Sequence, residues 1–361
     1  MNKLSQISVI IPLYNRKHYI QQAVDSVLTQ SFEDYEILIL DNQSTDGSYE
    51  LCMELYGKNP KVQVIRQNFQ CGLGPARNLG ISLARGKYVA FLDSDDLYVN
   101  DGLKMIYEVA EMTQAEVVHA PGWLESEEDD GQTITTASAL IPRLADRLPF
   151  NGTISQLDSN VKNRMNMFVN NFFSLNAWSK LYLRDYLIKN DITFPDVLNE
   201  DVSFTMFNLM YAERYIRIPY LWNIYRKAPD SLSFGNTEAE FLSKIISSMI
   251  IGLKHMNENF KKCKFISENP EYAGILREHF LWHLLNFQLY RKSIYASNSL
   301  ERLKNISDKV LSKYFDDDHL AFVSVLFNNL GIYQSRAIQL MHENQTLKKL
   351  INTNQFSEEK L

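Results

Sequence analysis

The chain has 361 residues, of which 45% are hydrophobic, and its formal net charge is −6. This length allows one large domain or two modest ones, and the composition is that of an ordinary globular protein with enough apolar residues for a sizeable core. The negative charge gives no general affinity for nucleic acid.

The first 120 residues alternate strand-like and helix-like segments. The strands are predicted at 7–14, 35–41, 61–66, 87–93 and 115–120, and the helices at 16–30, 47–57, 74–85 and 100–113. This alternation is typical of an α/β fold with right-handed crossovers and a mostly parallel sheet. Ligands of such sheets bind at the carboxyl ends of the strands. Asn15, Asp41 and Asp93 stand at three of those ends, so we expect the site there.

The remainder of the chain has a different pattern. Residues 125–138 are polar and turn-prone, which predicts a surface loop, and the composition of residues 225–233 suits a flexible lid. From about residue 237 the sequence predicts helices, beginning with a capping-box pattern at 237–240. A short apolar stripe within 337–351 is typical of a coiled-coil seam. It predicts either a homo-oligomer through this helix or packing of the helix on its own domain.

Signals for compartment and membrane are few. The three cysteines have no metal-binding spacing and cannot all pair, which favours a reducing compartment. The apolar run near the N-terminus is interrupted by Pro12 and predicts a first strand, not a signal peptide. No window reaches the roughly 18 uninterrupted apolar residues of a membrane span. We therefore expect a cytoplasmic protein, and peripheral contact with a membrane is left open.

Three acids follow the fourth predicted strand: Asp93, Asp95 and Asp96. Carboxylates this close repel one another, so their ionised forms favour a cation between them. Mg²⁺ and Mn²⁺ take oxygen ligands and commonly use one or two carboxylates, with phosphate oxygens and water as the other ligands. The Asp-x-Asp pattern therefore predicts a metal–diphosphate site. A solvated turn or a helix cap explains the same residues equally well.

Two further stretches carry candidate residues. Asp41 ends the second strand and is expected to face the crevice, whereas Asp46 is typical of turn and helix-cap chemistry. Gly72 and Gly74 suggest a dinucleotide-binding loop, but Arg77 stands where its third glycine belongs, so the spacing excludes that motif. Arg77 near a helix start suits a phosphate or acidic group. The alternative is that it pairs with an acid such as Asp93.

Several segments together resemble a known family. ISVIIPLYN (7–15), LDNQSTDGS (40–48), GLGPARNLGI (72–81) and GKYVAFLDSDD (86–96), in this order and spacing, resemble the nucleotide-sugar-binding half of family 2 glycosyltransferases with the GT-A fold. NAWSKLYLRDYL (176–187) and NEDVSF (199–204) resemble acceptor-side signatures of the bacterial members. The resemblance covers roughly residues 5–235. It implies a GT-A domain at 1–235, with a nucleotide-sugar-binding half (1–120) and an acceptor-side half (121–235), followed by a helical region at 236–361.

The resemblance also implies roles for individual residues. Those expected in the donor site are Pro12, Tyr14 and Asn15 at the nucleotide base, Asp41 at the uracil, and Arg77, Asp93 and Ser94 nearby. A Mn²⁺ or Mg²⁺ ion is expected at Asp95 and Asp93, with Asp95 the direct ligand and Asp93 facing the ribose or sugar. Asn42 departs mildly from the pattern, because many members have a second acid there.

The acceptor side is expected around a general base, Asp201. Glu200 either orients Asp201, contacts the acceptor or is simply an acid in the first turn of a helix. Trp178 and Lys180 are candidates for contact with a sugar ring and a phosphate, although core packing is favoured for Trp178.

The implied reaction is inverting, metal-dependent transfer of a hexosyl or N-acetylhexosaminyl group. The donor is a nucleotide diphosphate sugar, with UDP preferred, and the acceptor is a hydroxyl of a saccharide or lipid-linked saccharide in surface-polysaccharide synthesis. An inactive nucleotide-sugar-binding scaffold of the same fold is the alternative. A nucleotidyltransferase is disfavoured, because it would want a glycine-rich, basic loop near the first strand, and PLYNRKHYI (12–20) supplies none.

Overall fold

The computed structural model describes the backbone of residues 5–126, 140–144, 153–226 and 238–291. The predicted lid beyond Arg226, most of the predicted loop at 125–138 and the predicted seam at 337–351 lie outside these residues. In chain order the described elements are β1 (Ile7–Leu13), α1 (Ile20–Leu28), β2 (Tyr35–Asp41), α2 (Ser48–Tyr56), β3 (Val62–Arg66), α3 (Leu73–Leu83), β4 (Tyr88–Phe91), β5 (Leu97–Tyr98), α4 (Gly102–Thr113), β6 (Val117–His119), β7 (Gly122–Ser126), β8 (Leu140–Leu144), β9 (Ser155–Gln156), α5 (Val161–Val169), a 3₁₀ turn (Ala177–Ser179), β10 (Lys180–Leu183), α6 (Arg184–Lys189), α7 (Asp201–Tyr211), β11 (Tyr215–Arg217), β12 (Leu221–Arg226), α8 (Glu238–Phe260), α9 (Lys264–Glu268) and α10 (Glu271–Arg291).

The main sheet of the described chain has eight strands in the order β3-β2-β1-β4-β10-β6-β11-β9. The first four are mutually parallel, as are β6 and β11, whereas β10 runs antiparallel to both of its neighbours, β4 and β6. The predicted α/β class is confirmed, and all five strands predicted in the first 120 residues are present. A second, smaller sheet has the order β5-β12-β7-β8.

The centre of the main sheet is the core of the protein. Every residue of β1, β2 and β4 is buried, which is typical of parallel strands covered on both faces. β4 ends at Phe91, two residues before the predicted end, and the chain then turns, with the Asp96 N–H donating to the Asp93 carbonyl at 3.0 Å. The polar residues after β1, β2 and β4 consequently meet at one edge of the sheet.

The chain forms two compact units. One comprises residues 1–237 with 247–288, and the other comprises 238–246 with 289–361. Within the first unit, Phe207 of α7 packs edge-on against Phe260 with ring centroids 6.0 Å apart. The predicted functional boundary at residue 235 stays a prediction. Among the described helices, none combines the length and the apolar character that crossing a bilayer requires.

The contact between α3 and β1 requires a glycine. A Cβ added to Gly80 would lie 2.4 Å from Cγ2 of the fully buried Ile10, so we expect Gly80→Ala to destabilise the fold. Overpacking of this kind costs about 1–3 kcal/mol. The matched control is Gly274→Ala in α10, where an added Cβ meets nothing within 4 Å and helix propensity contributes a gain of about 0.5–1 kcal/mol. Melting temperatures should fall for the first variant only; equal values for both would contradict the expected clash.

Candidate functional site

The three acids after β4 have different environments. Asp96 is buried, and its carboxylate accepts a hydrogen bond from the Arg226 N–H at the end of β12, at 2.9 Å. The side chains of Asp93 and Asp95 are 28% and 19% exposed. Asp96 therefore attaches the turn to the second sheet, while the other two carboxylates are accessible for binding.

Asp95 is paired with a residue from the end of the first strand. Its Oδ2 accepts from Arg16 Nε at 3.0 Å, and Arg16 Nη1 donates to the Asn15 carbonyl at 3.0 Å. Burial raises the pKa of Asp95 and Asp93 adds to the rise, while Arg16 opposes it. Arg16 was not among the residues predicted to lie at the site. The available signal was a basic residue directly after the polar end of a strand that was expected to line the site.

The ends of β1 and β2 are joined by side-chain hydrogen bonds. Asn15 has a left-handed backbone (φ 51°), which asparagine tolerates better than most residues. Its N–H donates to Ser44 Oγ at 3.0 Å, and its Oδ1 accepts from the Thr45 N–H at 2.8 Å. The Arg16 N–H donates to Ser48 Oγ at 2.9 Å. The first helix was predicted to start at residue 16, but Arg16 takes part in these bonds, and α1 begins only at Ile20.

Asp41 lies beneath the surface at the end of β2. It has no exposed area, accepts from the Ser44 N–H at 3.2 Å, and its Oδ2 is 3.4 Å from Arg66 Nε. Arg66 also donates to the Ser44 carbonyl at 3.0 Å and lies over the Tyr49 ring. Arg66 was missed, although it ends the third strand and the strand-end rule that selected Asp41 would have selected it. The contact of Asp41 with a base stays a prediction.

Asn42 fixes the loop that precedes α3. Its Nδ2 donates to the Cys71 carbonyl at 2.6 Å, and its Oδ1 accepts from the Cys71 N–H at 2.8 Å. An acid at this position lacks the amide donor and would form only one of these two bonds. The departure from the family pattern noted at Asn42 thus has a local structural reason.

Arg77 connects the two halves of the site. Its guanidinium is 1% exposed, and its Nη2 donates to Asp93 Oδ1 at 2.9 Å. Nη1 donates to Glu200 Oε1 at 2.6 Å and to Asp201 Oδ1 at 2.8 Å. The alternative that pairs Arg77 with Asp93 is confirmed, and the pairing extends to both acids at the start of α7.

The second oxygen of Asp201 is also held. Oδ2 accepts from the Ala177 N–H at 3.1 Å. Burial raises the pKa of Asp201, opposed by Arg77 and by the Ala177 N–H. Burial also raises the pKa of Glu200, to about 7, with a further rise from Asp201 and an opposing effect of Arg77. Such shifts are common where carboxyl groups exchange protons with a ligand, and structural ion-pair clusters produce them too.

The remaining predicted residues lie around this centre. Trp178 is buried, edge-on to Trp123 with ring centroids 5.4 Å apart, as the core-packing interpretation predicts. Lys180 is fully buried, and its ammonium donates to the carbonyls of Ser174 and Asn176 at 3.0 and 2.6 Å. Lys180 thus shapes the loop that presents Ala177 to Asp201. Pro12 and Ser94 are buried, and Tyr14 is half-buried after β1.

The accessible acids fit a hard divalent cation. Asp93 and Asp95 offer carboxylate oxygens, the donors that Mg²⁺ and Mn²⁺ prefer. Within the described residues, no three His, Cys, Asp or Glu side chains are grouped so that they could hold a metal by themselves. A divalent cation held by Asp93 and Asp95 would keep coordination positions for phosphate oxygens and water.

Comparison with known proteins gives the family of the N-terminal part of the chain and the fold. The family model "Glycosyl transferase family 2" matches residues 8–176. These residues are a family 2 glycosyl transferase domain. TarS 1–349 of S. aureus, solved in complex with UDP-GlcNAc, has the same fold, with a TM-score of 0.58 at 20% identity over 83% of this chain and 79% of that one. The fold is GT-A, followed by helices.

Relatives in sequence match over part of their length. Glycosyltransferase GlyG of Streptococcus pneumoniae is 34% identical over 125 residues, which are 35% of this chain and 41% of GlyG. The uncharacterised glycosyltransferase YibD of Escherichia coli is 32% identical over 233 residues, which are 62% of this chain and 63% of YibD. The chain thus spans less than two thirds of either relative.

We expect Asn42→Ala to loosen the loop before α3. The substitution removes two part-buried hydrogen bonds to Cys71, each of which contributes about 0.5–1.5 kcal/mol, and this loss favours local opening. Cys71 reports on it, because its thiol is half-buried, whereas Cys52 and Cys263 are buried. Its reaction with a thiol reagent at fixed pH should accelerate about tenfold, the factor that 1.4 kcal/mol gives. Asn163→Ala, on the exposed side of α5, is the control, and an unchanged rate at Cys71 would show that Asn42 does not hold the loop.

Proposed function

We propose that the protein is an inverting, metal-dependent glycosyltransferase. It transfers a hexosyl or N-acetylhexosaminyl group from a nucleotide diphosphate sugar, with UDP-sugars preferred. The acceptor is a hydroxyl of a saccharide or lipid-linked saccharide, in synthesis of a surface polysaccharide at the cytoplasmic side of a membrane. Membership of residues 8–176 in the family supports the activity, and the UDP-GlcNAc complex of TarS supports the donor class.

One observation carries the proposal: two kinds of carboxylate converge at one edge of the sheet. Asp93 and Asp95 follow β4 and are partly exposed, whereas Asp201 begins α7 and lies in the other half of the domain. Arg77 bonds to both Asp93 and Asp201. A diphosphate with its metal at the first pair would therefore place the anomeric carbon within reach of an acceptor at Asp201.

Asp201 is the proposed general base. It accepts the proton of the acceptor hydroxyl while that oxygen bonds to C1 of the sugar. The bond from C1 to the diphosphate oxygen breaks on the opposite face, and its electrons stay on the leaving nucleoside diphosphate. One displacement of this kind inverts the anomeric centre and needs no second carboxylate as nucleophile. Asp201 is suited to this role because its side chain is 19% exposed, against 10% for Glu200.

Asp95 and Asp93 are the residues that would hold Mn²⁺ or Mg²⁺. When bound, the ion supplies positive charge that stabilises the leaving diphosphate. The end of β1, with Tyr14 and Asn15, and Asp41 behind it are the proposed neighbours of the nucleotide base. Ser94, inside the acidic turn, is a further proposed neighbour of the nucleotide sugar.

A scaffold that binds nucleotide sugars without transferring them is the second candidate. Such a scaffold keeps Asp41 and the acidic turn but has no use for a partly exposed carboxylate whose two oxygens are both held by hydrogen bonds. The bonds to Asp201 from Arg77 and from the Ala177 N–H favour the enzyme.

We expect Asp95→Ala and Asp201→Asn to separate metal binding from chemistry. With Mn²⁺ and a panel of nucleotide sugars, the wild type should release nucleoside diphosphate from one donor. Loss of Asp95 should weaken Mn²⁺-dependent nucleotide binding in calorimetry, because a metal ligand is removed. Asp201→Asn should keep that binding and lose turnover by about 10²–10⁴-fold, the usual contribution of a general base.

Asp185→Asn, at an acid whose side chain is 90% exposed, is the matched control and should behave as the wild type does. Donor binding without turnover in the wild type, with acceptors present, would favour the scaffold. Equal turnover in Asp201→Asn would exclude Asp201 as the base.

We expect the rate to fall with decreasing pH through a raised pKa. Asp201 must be ionised to accept a proton, and burial raises its pKa, so activity is present above the folded-state pKa and is lost below it. The acidic limb of kcat/KM should therefore lie above the ordinary aspartate value of about 3.9. A rate that stays constant to about that value, with circular dichroism unchanged, would contradict the assignment.

A further inference from the structure

We propose that Arg77 is a positioning residue of the transfer reaction. It orients Asp201 and Glu200 relative to Asp93 and makes no contact with the nucleotide sugar. This inference rests on the proposed function, and it differs from the donor-binding role that the sequence motif implies for this arginine.

The Arg77 side chain is buried among carboxylates of the protein. Only 1% of the Arg77 side chain is exposed, and all three of its hydrogen bonds go to carboxylates of the protein. Its Nε is buried as well and has no hydrogen-bond partner among the residues that the structure describes. Three of the five N–H groups of the guanidinium are used in these bonds, and we infer that burial keeps a phosphate of the donor from reaching the other two. Arg77 can act on the reaction only through the acids that it holds.

Two aromatic rings lie beside the Arg77 guanidinium. The guanidinium carbon lies 5.7 Å from the ring centroid of Phe91 and 5.4 Å from that of Phe194. Phe194 stacks on Phe204 of α7, with centroids 3.6 Å apart and planes inclined by 12°. Two aromatic faces, one on the strand that leads to Asp93 and one packed on α7, thus define the position of the guanidinium.

The negative charges of Glu200 and Asp201 lie side by side at the start of α7. Glu200 and Asp201 accept hydrogen bonds from the same atom, Nη1, so their carboxylates are adjacent. Two adjacent carboxylates that are largely shielded from water, 10% exposed in Glu200 and 19% in Asp201, repel each other unless a cation lies between them. Arg77 is the cation that bonds to both, and without it the start of α7 is expected to move.

Arg77 helps to set the orientation of the Asp201 carboxylate. Asp201 is fixed at Oδ1 by Arg77 and at Oδ2 by the Ala177 N–H, which leaves each oxygen a defined remaining lone pair. A planar guanidinium presents its N–H groups from separate nitrogens in fixed directions, whereas the three N–H groups of a lysine ammonium lie on one rotatable nitrogen and do not reproduce those directions. The lysine variant therefore separates charge from geometry.

The test compares Arg77→Lys and Arg77→Ala with the wild type. For a misplacement of about 1 Å, kcat falls by about 10²-fold, and we expect this loss in Arg77→Ala and a smaller one in Arg77→Lys. The KM for the donor, and Mn²⁺-dependent UDP binding in calorimetry, should stay within about threefold. Free guanidinium at millimolar concentration should restore part of kcat in Arg77→Ala and have no such effect in the wild type. Arg85→Lys is the control, because Arg85 pairs with Glu36 outside the site.

Each outcome either supports or overturns the positioning role of Arg77. If the KM for the donor or the Kd for UDP rises at least tenfold in the Arg77 variants while kcat is unchanged, Arg77 is a donor ligand and the inference is wrong. If circular dichroism shows that Arg77→Ala is unfolded, the changes of kcat and KM in Arg77→Lys decide alone. A kcat equal to that of the wild type in Arg77→Lys would overturn the inference, while the proposed enzyme function would stand. A wild type that binds no nucleotide sugar would remove the proposed function, and this inference with it.

Discussion

The guanidinium of Arg77 lies among three carboxylates, and the charge balance between them underlies the rest of the site. Removing one carboxylate from water is costly, and Asp93, Glu200 and Asp201 meet in a small volume. Burial lowers the pKa of Arg77, but the three acids outweigh it and hold that pKa above the ordinary value, so the cation persists at any working pH. The acids are tolerated here because of this cation.

The fold brings these groups together through one antiparallel strand. β10 lies between β4 and β6, hydrogen-bonded to both, and thereby joins the parallel half of the sheet to the strands that follow it. The turn just before β10 presents the Ala177 N–H to Asp201, and the buried ammonium of Lys180 holds the preceding carbonyls. The position of α7 relative to the acidic turn is therefore set by backbone pairing as well as by Arg77.

Much of the fold followed from the sequence, because its signals are local. Alternating apolar runs and helix-like segments located every strand of the parallel half, and the Asp-x-Asp after β4 is a feature of three consecutive residues. The pairs Arg16–Asp95 and Arg66–Asp41 could not be predicted, since 79 and 25 residues separate their members (95 − 16 and 66 − 41) and only the assembled sheet brings them into contact. The second sheet was missed for the same reason, because β5 has two residues and acquires its partner far along the chain.

The division of the Arg77 cluster across the chain also bears on recombining this protein with its relatives. Two members, Arg77 and Asp93, precede residue 100, and the other two follow residue 199. A chimaera that joins the first half of one glycosyltransferase to the second half of another must therefore inherit an arginine and acids that fit each other, and a β10 that pairs with strands from both parents. Under the proposed function, donor and acceptor preferences are thus not freely interchangeable modules of this fold. They can be exchanged only between parents whose buried ion clusters have the same geometry.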